Sequence, residues 1–246
     1  MEKNAQIFDE IVDKRRACRL FDTNIELPEG VVRRSLERAI KSPSSSNMQL
    51  WEFYRIRSKE GLKAVAEICL NQQGAQTASE IVVFVARGDL WRQRVDMHLK
   101  RIAQTPKKPR KDDKRILTDS EVKYFGELMP LFYNPSLAFI KDIYKRIFVW
   151  NKSRKGPFMQ DVYSRFIPVV VQKSTALAAQ TFMLSISAEG YDSLPMEGLD
   201  SKRMKKFLQL PKGAQINMAI AVGKGLAAGI KGERFRLPYD AVVFER

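Results

Sequence analysis

The stretch that most constrains the fold is Glu80-Ile-Val-Val-Phe-Val-Ala86, a continuous apolar run with the pattern of a β-strand buried on both faces. Ile216-Asn-Met-Ala-Ile-Ala-Val-Gly223 also reads as a buried strand, and Trp51 to Ile56 as an aromatic one. Helical spacing fills the intervals. Val31, Val32, Ser35, Leu36, Ala39 and Ile40 share one helix face, and Leu62, Val65, Ile68 and Cys69 share the next. Pro168 to Glu189 predicts a long helix whose Ala176, Ala178 and Ala179 would admit a close neighbour at a subunit interface. Near the N-terminus, Ile7, Phe8, Ile11 and Val12 predict a helix that runs into Lys14-Arg-Arg-Ala-Cys-Arg-Leu-Phe21 and ends in a cluster of cations.

At 246 residues and 44% hydrophobic, the chain suits one large domain, or a domain with an elaboration, around a real core. Cys18 and Cys69 form neither a CxxC pair nor a disulfide framework, so a reducing cytoplasmic setting is expected. Met1 to Gln6 is polar and no apolar run approaches the ~20 residues of a membrane span, which predicts a soluble protein. The single histidine, His98, leaves no multi-His metal site and only one weak candidate for Ser-His-Asp machinery. Among Arg92, Arg94, Lys100 and Arg101 it reads as a surface helix position, which leaves the difficult chemistry to a cofactor. Net charge is +15, and Arg92 to Arg165 carries 18 basic and 8 acidic residues, two thirds of the excess. Such a field attracts polyanions: nucleic acid, an anionic membrane surface, or phosphate-bearing cofactors.

Ser42-Pro-Ser-Ser-Ser-Asn-Met-Gln-Leu-Trp-Glu-Phe-Tyr54 marks a junction where Pro43 ends a helix and an aromatic strand begins. Ser44, Ser45, Ser46, Asn47 and Gln49 could satisfy neighbouring backbone in a plain turn, or bind something docked against it. The pattern Pro-Ser-x-x-Asn-x-Gln-x-Trp-x-Phe resembles the hallmark of the nitroreductase family of FMN-dependent oxidoreductases, with Leu50 where that family has proline. Arg15, Arg16 and Arg19 resemble the family's Arg-Arg-Ser-x-Arg-x-Phe opening, which grips the FMN phosphate and approaches the ring. Ala17 replaces its serine, so only the Ala17 backbone can take part. Tyr191 to Asp200 is similar to the segment that sets backbone N–H groups beside the flavin, matching at Pro195, Met196, Glu197 and Gly198. Asn71 and Gln73 stand where an amide side chain would bond the flavin pyrimidine, and Arg234 and Arg236 resemble the C-terminal phosphate-binding pair. Gly223-Lys-Gly-Leu-Ala-Ala-Gly229 imitates a dinucleotide loop, but only 17 residues follow it, with Pro238 and no helical period, so a turn is expected.

The resemblance implies an α+β, nitroreductase-like fold: a central mixed β-sheet flanked by helices, in an intertwined homodimer with FMN at the interface. It implies ping-pong hydride transfer from NADPH or NADH to a small-molecule electron acceptor, a nitroaromatic or quinone, with Arg19 near flavin N1 and no catalytic protein base. Residues 1–246 would form one such domain, and 92–163 a divergent basic helical insert. Phe125, Leu128, Met129, Leu131, Phe132 and Tyr133 of that insert would form a substrate lid or pack against the dimer partner. The tail Asp240 to Arg246 is strand-like and in the family crosses to the partner. No nucleic-acid or membrane partner is expected. A flavin-binding protein without turnover, suggested by Ala17 and the insert, and a basic nucleic-acid-binding protein are the alternative readings.

Overall fold

A computed structural model of the chain describes residues 2–104, 119–134, 138–161 and 163–246, with the side chains of residues 119 and 138–141 left aside. The charge run at 107–115 lies outside the described residues. In chain order the elements are α1 (Glu2–Lys14), α2 (Glu29–Ala39), β1 (Trp51–Ile56), α3 (Lys59–Ile68), α4 (Gln73–Thr77), β2 (Glu80–Ala86) and α5 (Trp91–Gln104). They continue as α6 (Asp119–Lys123), α7 (Met129–Tyr133), α8 (Ala138–Ser153), α9 (Ile167–Ala188), β3 (Asp192–Met196), α10 (Ser201–Phe207) and β4 (Gln215–Gly223).

All seven residues of β2 are buried. Its backbone pairs with β1 on one side and β4 on the other, in the sheet order β1-β2-β4-β3. Every ladder is antiparallel, and the parallel component is the isolated bridge between Ala17 and Ser193. Because side chains alternate along a strand, Ile81, Val83 and Val85 face Val65, Ile68, Ala75 and Met204, under α3, α4 and α10. Val82 and Phe84 face Val32, Ala178, Ala179 and Phe182, under α2 and α9. A register shift at Phe84/Val85 places one extra residue, Asn217, in β4. It exchanges the faces: Ile216 joins the first core while Met218 joins the second. Asn217 is half-buried beside α9, where its Nδ2 donates to Gln172 Oε1 at 2.7 Å.

Two residues of the small-residue face of α9 are used inside the chain, while Ala176 is half-buried. Ala178 and Ala179 are fully buried against α2 and the sheet, so they are not a subunit contact. Among the described residues no helix is long and apolar enough to cross a membrane. Phe125, Met129 and Tyr133 form a third cluster with Met48, Leu50, Ala86, Trp91 and Val171, and Leu128 and Phe132 pack against it. These insert residues therefore pack within the chain, where they join the insert to the end of the sheet. The C-terminal tail forms no strand in this chain: Tyr239–Ala241 is a single 3-10 turn, and Phe235, Tyr239 and Phe244 are exposed.

One ion network holds α9 to α2. Glu189, just past the end of α9, accepts from Arg34 at 2.6 and 3.1 Å and from Arg38 at 2.6 Å, and Arg38 also donates to Ser185 Oγ at 2.8 Å. The Arg34 hydrogen bonds, with those of Arg38, take the Glu189 carboxyl from an ordinary 4.5 down to about 2. A carboxyl lowered by folding stabilises the native state above its unfolded pKa and loses that contribution as pH falls towards the folded one. Glu189→Gln is therefore expected to lower Tm at pH 7 by a few degrees, for a network worth about 1 kcal/mol. The difference from wild type should fade between pH 4.5 and 2 in parallel thermal melts.

Candidate functional site

Helix α1 stops at Lys14, so Arg15, Arg16 and Arg19 follow the helix rather than ride on its last turn. The chain from Arg15 to Asp22 is extended and laced on both sides. Cys18 N–H donates to Ser193 O of β3 at 3.1 Å, while Arg19 N–H donates to Gly229 O at 2.8 Å and Leu226 N–H to Leu20 O at 3.0 Å. A Cβ on Gly229 would lie 2.6 Å from Leu20 N, so glycine is required here for close backbone approach. After β4 the glycine segment makes one 3-10 turn, Ala227–Gly229, and no helix.

The C-terminal segment returns to the same place. The Arg234 guanidinium donates to the carbonyls of Val12 at 3.3 Å, Arg15 at 3.1 Å and, by a short contact, Asp13. These are carbonyls left unpaired by the end of α1, where the helix dipole is negative. Arg16 Nη2 donates to Gly232 O at 2.9 Å, and Arg236 Nη1 turns back to Phe235 O at 2.7 Å. The pKa of Arg15 is lowered from its ordinary value, first by burial and then by Arg234, Arg236 and Arg16. Four guanidiniums from the two ends of the chain thus share one small region. The carboxylate paired there among the described residues is Asp13, 3.6 Å from Arg234 and 82% exposed. An uncompensated cation cluster of this kind fits a phosphate monoester.

Beside it lies a second group. Gly74 of α4 sits so close that a Cβ would meet Leu194 at 2.4 Å and Arg19 Cα at 3.4 Å. Leu70 and Asn71 enter α4 with left-handed φ of 59° and 53°. Asn71 and Gln73 are exposed, and the amide between them is the connector: Gln72 Nε2 donates to Cys69 O at 3.0 Å and Gly198 O at 2.8 Å. The run of three amides marked this place, but spacing could not show which one turns inward. Pro195 and Met196 belong to β3, with the Met196 side chain 2% exposed in the core, so only its backbone faces outward chemistry. Glu197 and Gly198 are exposed beyond the strand.

Ser44, Ser45 and Asn47 stand elsewhere, at the start of β1, on the opposite edge of the sheet. Three strand spacings, about 14 Å, separate β1 from β3. Ser46, Asn47 and Gln49 all have left-handed φ, 52°, 52° and 47°. Several groups hold this conformation: Ser45 N–H donates to Ser174 Oγ at 3.2 Å, Gln49 N–H to Ser44 Oγ at 3.1 Å, and Ser46 Oγ pairs with Tyr124 OH at 2.7 Å. His98 completes the set. Its Nε2 donates to Asn47 O at 2.9 Å and its ring stacks on Phe125 at 4.2 Å, 8° from parallel. The expectation of a surface histidine is overturned: His98 is 9% exposed, because α5 packs the Trp91, Val95 and His98 face inward. Pro43 is exposed, and Leu50, 3% exposed, is core.

Burial pushes the Cys69 thiol up to about 11 and also raises that of Cys18, so neither is a ready nucleophile. His98→Leu is expected to strand the Asn47 carbonyl and cost about 1–3 kcal/mol. Hydrogen exchange should show faster exchange in residues 44–49, with a smaller effect for His98→Gln, whose amide still donates.

Known proteins resemble this chain in sequence and in fold. The model of the Nitroreductase family matches residues 12–224. Protein DrgA of Synechocystis is 26% identical over 217 residues, spanning 88% of this chain and 83% of that protein. YdgI of Bacillus subtilis, which bears an NAD(P)H nitroreductase name, is 24% identical over 242 residues, 96% of this chain and 95% of its own. A protein of Exiguobacterium sibiricum solved in complex with FMN shares the fold at a TM-score of 0.70, with 23% identity and 97% of each chain covered. The family match takes in the arginine segment, the Ser44 loop, the amide turn and β3 alike, and the chain is a member of the nitroreductase family.

Proposed function

We propose that the chain is an FMN-dependent NAD(P)H oxidoreductase that works as a homodimer. The observation that carries this reading is the convergence of Arg15, Arg16, Arg234 and Arg236: burial first, and then the repulsion of the other three, lowers the Arg15 pKa, and a doubly charged phosphate would relieve that repulsion. FMN, once bound, supplies ping-pong hydride transfer at N5 between a nicotinamide and an electron-poor acceptor such as a nitroaromatic or quinone. The protein's part is positional and electrostatic. Arg15, Arg16 and Arg236 hold the phosphate, while Arg234 shares its charge with the end of α1. Arg19, half-buried, with its backbone on Gly229 O and its Nη1 on Ala17 O at 3.3 Å, would offer a cation to the N1 edge. Asn71 and Gln73, exposed around the Gln72 tether, offer amides to the pyrimidine, and the Pro195 to Gly198 backbone lies alongside. No side chain has to act as a base.

The sheet supports a second copy. Ser44, Ser45 and Asn47 lie on the edge opposite Arg15 to Arg19, which favours a site closed by one group from each of two chains. The partner's loop completes the site. The exposed apolar tail carrying Phe235, Leu237, Tyr239 and Phe244 supports the same arrangement, since a second subunit would cover it.

Arg236→Ala is expected to release FMN more than about tenfold more readily, for one charge-assisted bond lost, and to lower the Tm of the flavin-loaded protein by mass action. Absorbance of bound flavin after gel filtration, with melting curves, checks both. Sedimentation should place all flavin absorbance at twice the 28.3 kDa chain mass, with none on the monomer.

A further inference from the structure

We propose that the pocket between α5 and the Ser44 loop is an anion subsite that takes the phosphate groups of the nicotinamide dinucleotide. This rests on the oxidoreductase reading and extends it to the hydride donor. The pocket holds about 310 Å³, with Asn47, Gln49 and Trp51 on one wall and Arg94, His98 and Arg101 on the other. Positions 94, 98 and 101 fall on one face of α5, and the two arginines stand about 10 Å apart along its axis. No Asp or Glu lines the pocket among the described residues.

Arg94 is the telling residue. Its Nε is buried with no hydrogen-bond partner among the described residues, and its Nη1 reaches the Met97 sulfur at 3.4 Å, a weak acceptor. The guanidinium is under-bonded, with Nε enclosed and Nη1 on a thioether, and an anion in the pocket would give its open Nη end the acceptor it lacks. Gln49 Nε2 donates to Asn47 O and Oδ1 at 3.4 and 3.2 Å, which leaves the Asn47 amide nitrogen as the neutral donor on this wall of the pocket.

The loop that supplies Asn47 is the one the second subunit presents to flavin. The flavin phosphate already has its arginines at the other edge of the sheet. An anion held beside Asn47 therefore belongs to the molecule that stacks on the ring. Nicotinamide dinucleotides always carry phosphates, whereas nitroaromatic and quinone acceptors are commonly uncharged, so the donor is the better match.

The test uses the flavin-loaded dimer and its Arg94→Gln and Arg94→Lys variants. ADP-ribose, the phosphate-bearing part of the donor, is titrated by calorimetry. Then kcat/KM is measured for NADH, for NADPH and for the phosphate-free donor N-benzyl-1,4-dihydronicotinamide. In Arg94→Gln, ADP-ribose affinity and kcat/KM for both dinucleotides should fall about tenfold, while the phosphate-free donor changes by less than about twofold. Arg94→Lys should recover part of the loss, and the effect should shrink with added salt. Unchanged ADP-ribose affinity at normal flavin content would overturn the proposal, as would an equal loss with all three donors. ADP-ribose binding through Arg94 in a protein that oxidises no nicotinamide would leave the subsite standing and remove the oxidoreductase reading. Flavin-dependent turnover indifferent to Arg94 would do the reverse.

Discussion

The burial of β2 on both faces and its pairing on both edges is the constraint from which the rest of the structure follows. Its backbone groups are satisfied only if β1 and β4 lie alongside, and its alternating side chains only if helices cover the sheet above and below. That arrangement leaves β1 and β3 as the outer strands. The residues that resemble a cofactor site sit along those two edges, one group beside each. A sheet four strands wide thus separates what the sequence motifs suggest should act together, and the separation is what makes a second subunit part of the reading.

The arginines divide into two kinds by their surroundings. Arg34 and Arg38 meet a carboxylate, Glu189, and the result is a neutralised strut between α2 and α9. Arg15, Arg16, Arg234 and Arg236 meet one another. Like charges gathered at a chain crossing cost stability unless something offsets them. Part of the offset is the negative end of α1, whose carbonyls Arg234 caps. The remainder of the positive field points to a ligand rather than to folding.

The insert acts as a brace for the Ser44 loop. Three non-glycine residues with left-handed φ cost of order 1–3 kcal/mol each and persist only where the surroundings over-determine them. Here the surroundings come from α5 and the segment after α6: His98 on the Asn47 carbonyl and Tyr124 on Ser46. Burial raises the Tyr133 pKa, and a hydrogen bond to Ser45 opposes the rise, so a third insert residue touches the same turn. Phe125, Phe132 and Tyr133 of the insert are thereby committed to the cluster that holds Met48 and Leu50, which fixes the loop from behind.

Local pattern alone was enough for the strands Trp51–Ile56 and Glu80–Ala86 and for the helices that cover them, because hydrophobic period is a property of neighbouring residues. The arginine, serine-asparagine and Pro195–Gly198 motifs were legible too, since each is a short run with a recognisable spacing. Three features depended on contacts between distant parts of the chain. The bulge at Asn217 exchanges the faces of β4, and nothing in its own run announces an extra residue. His98 looked exposed among its charged neighbours, yet the packing of α5 on Phe125 buries it against Asn47. Arg234 and Arg236 read as an alternating pair, but the end of α1 captures one and leaves the other outside. Spacing describes what a residue could face; which hydrogen-bond partner reaches it first is decided only when segments more than 200 residues apart in the chain are brought together.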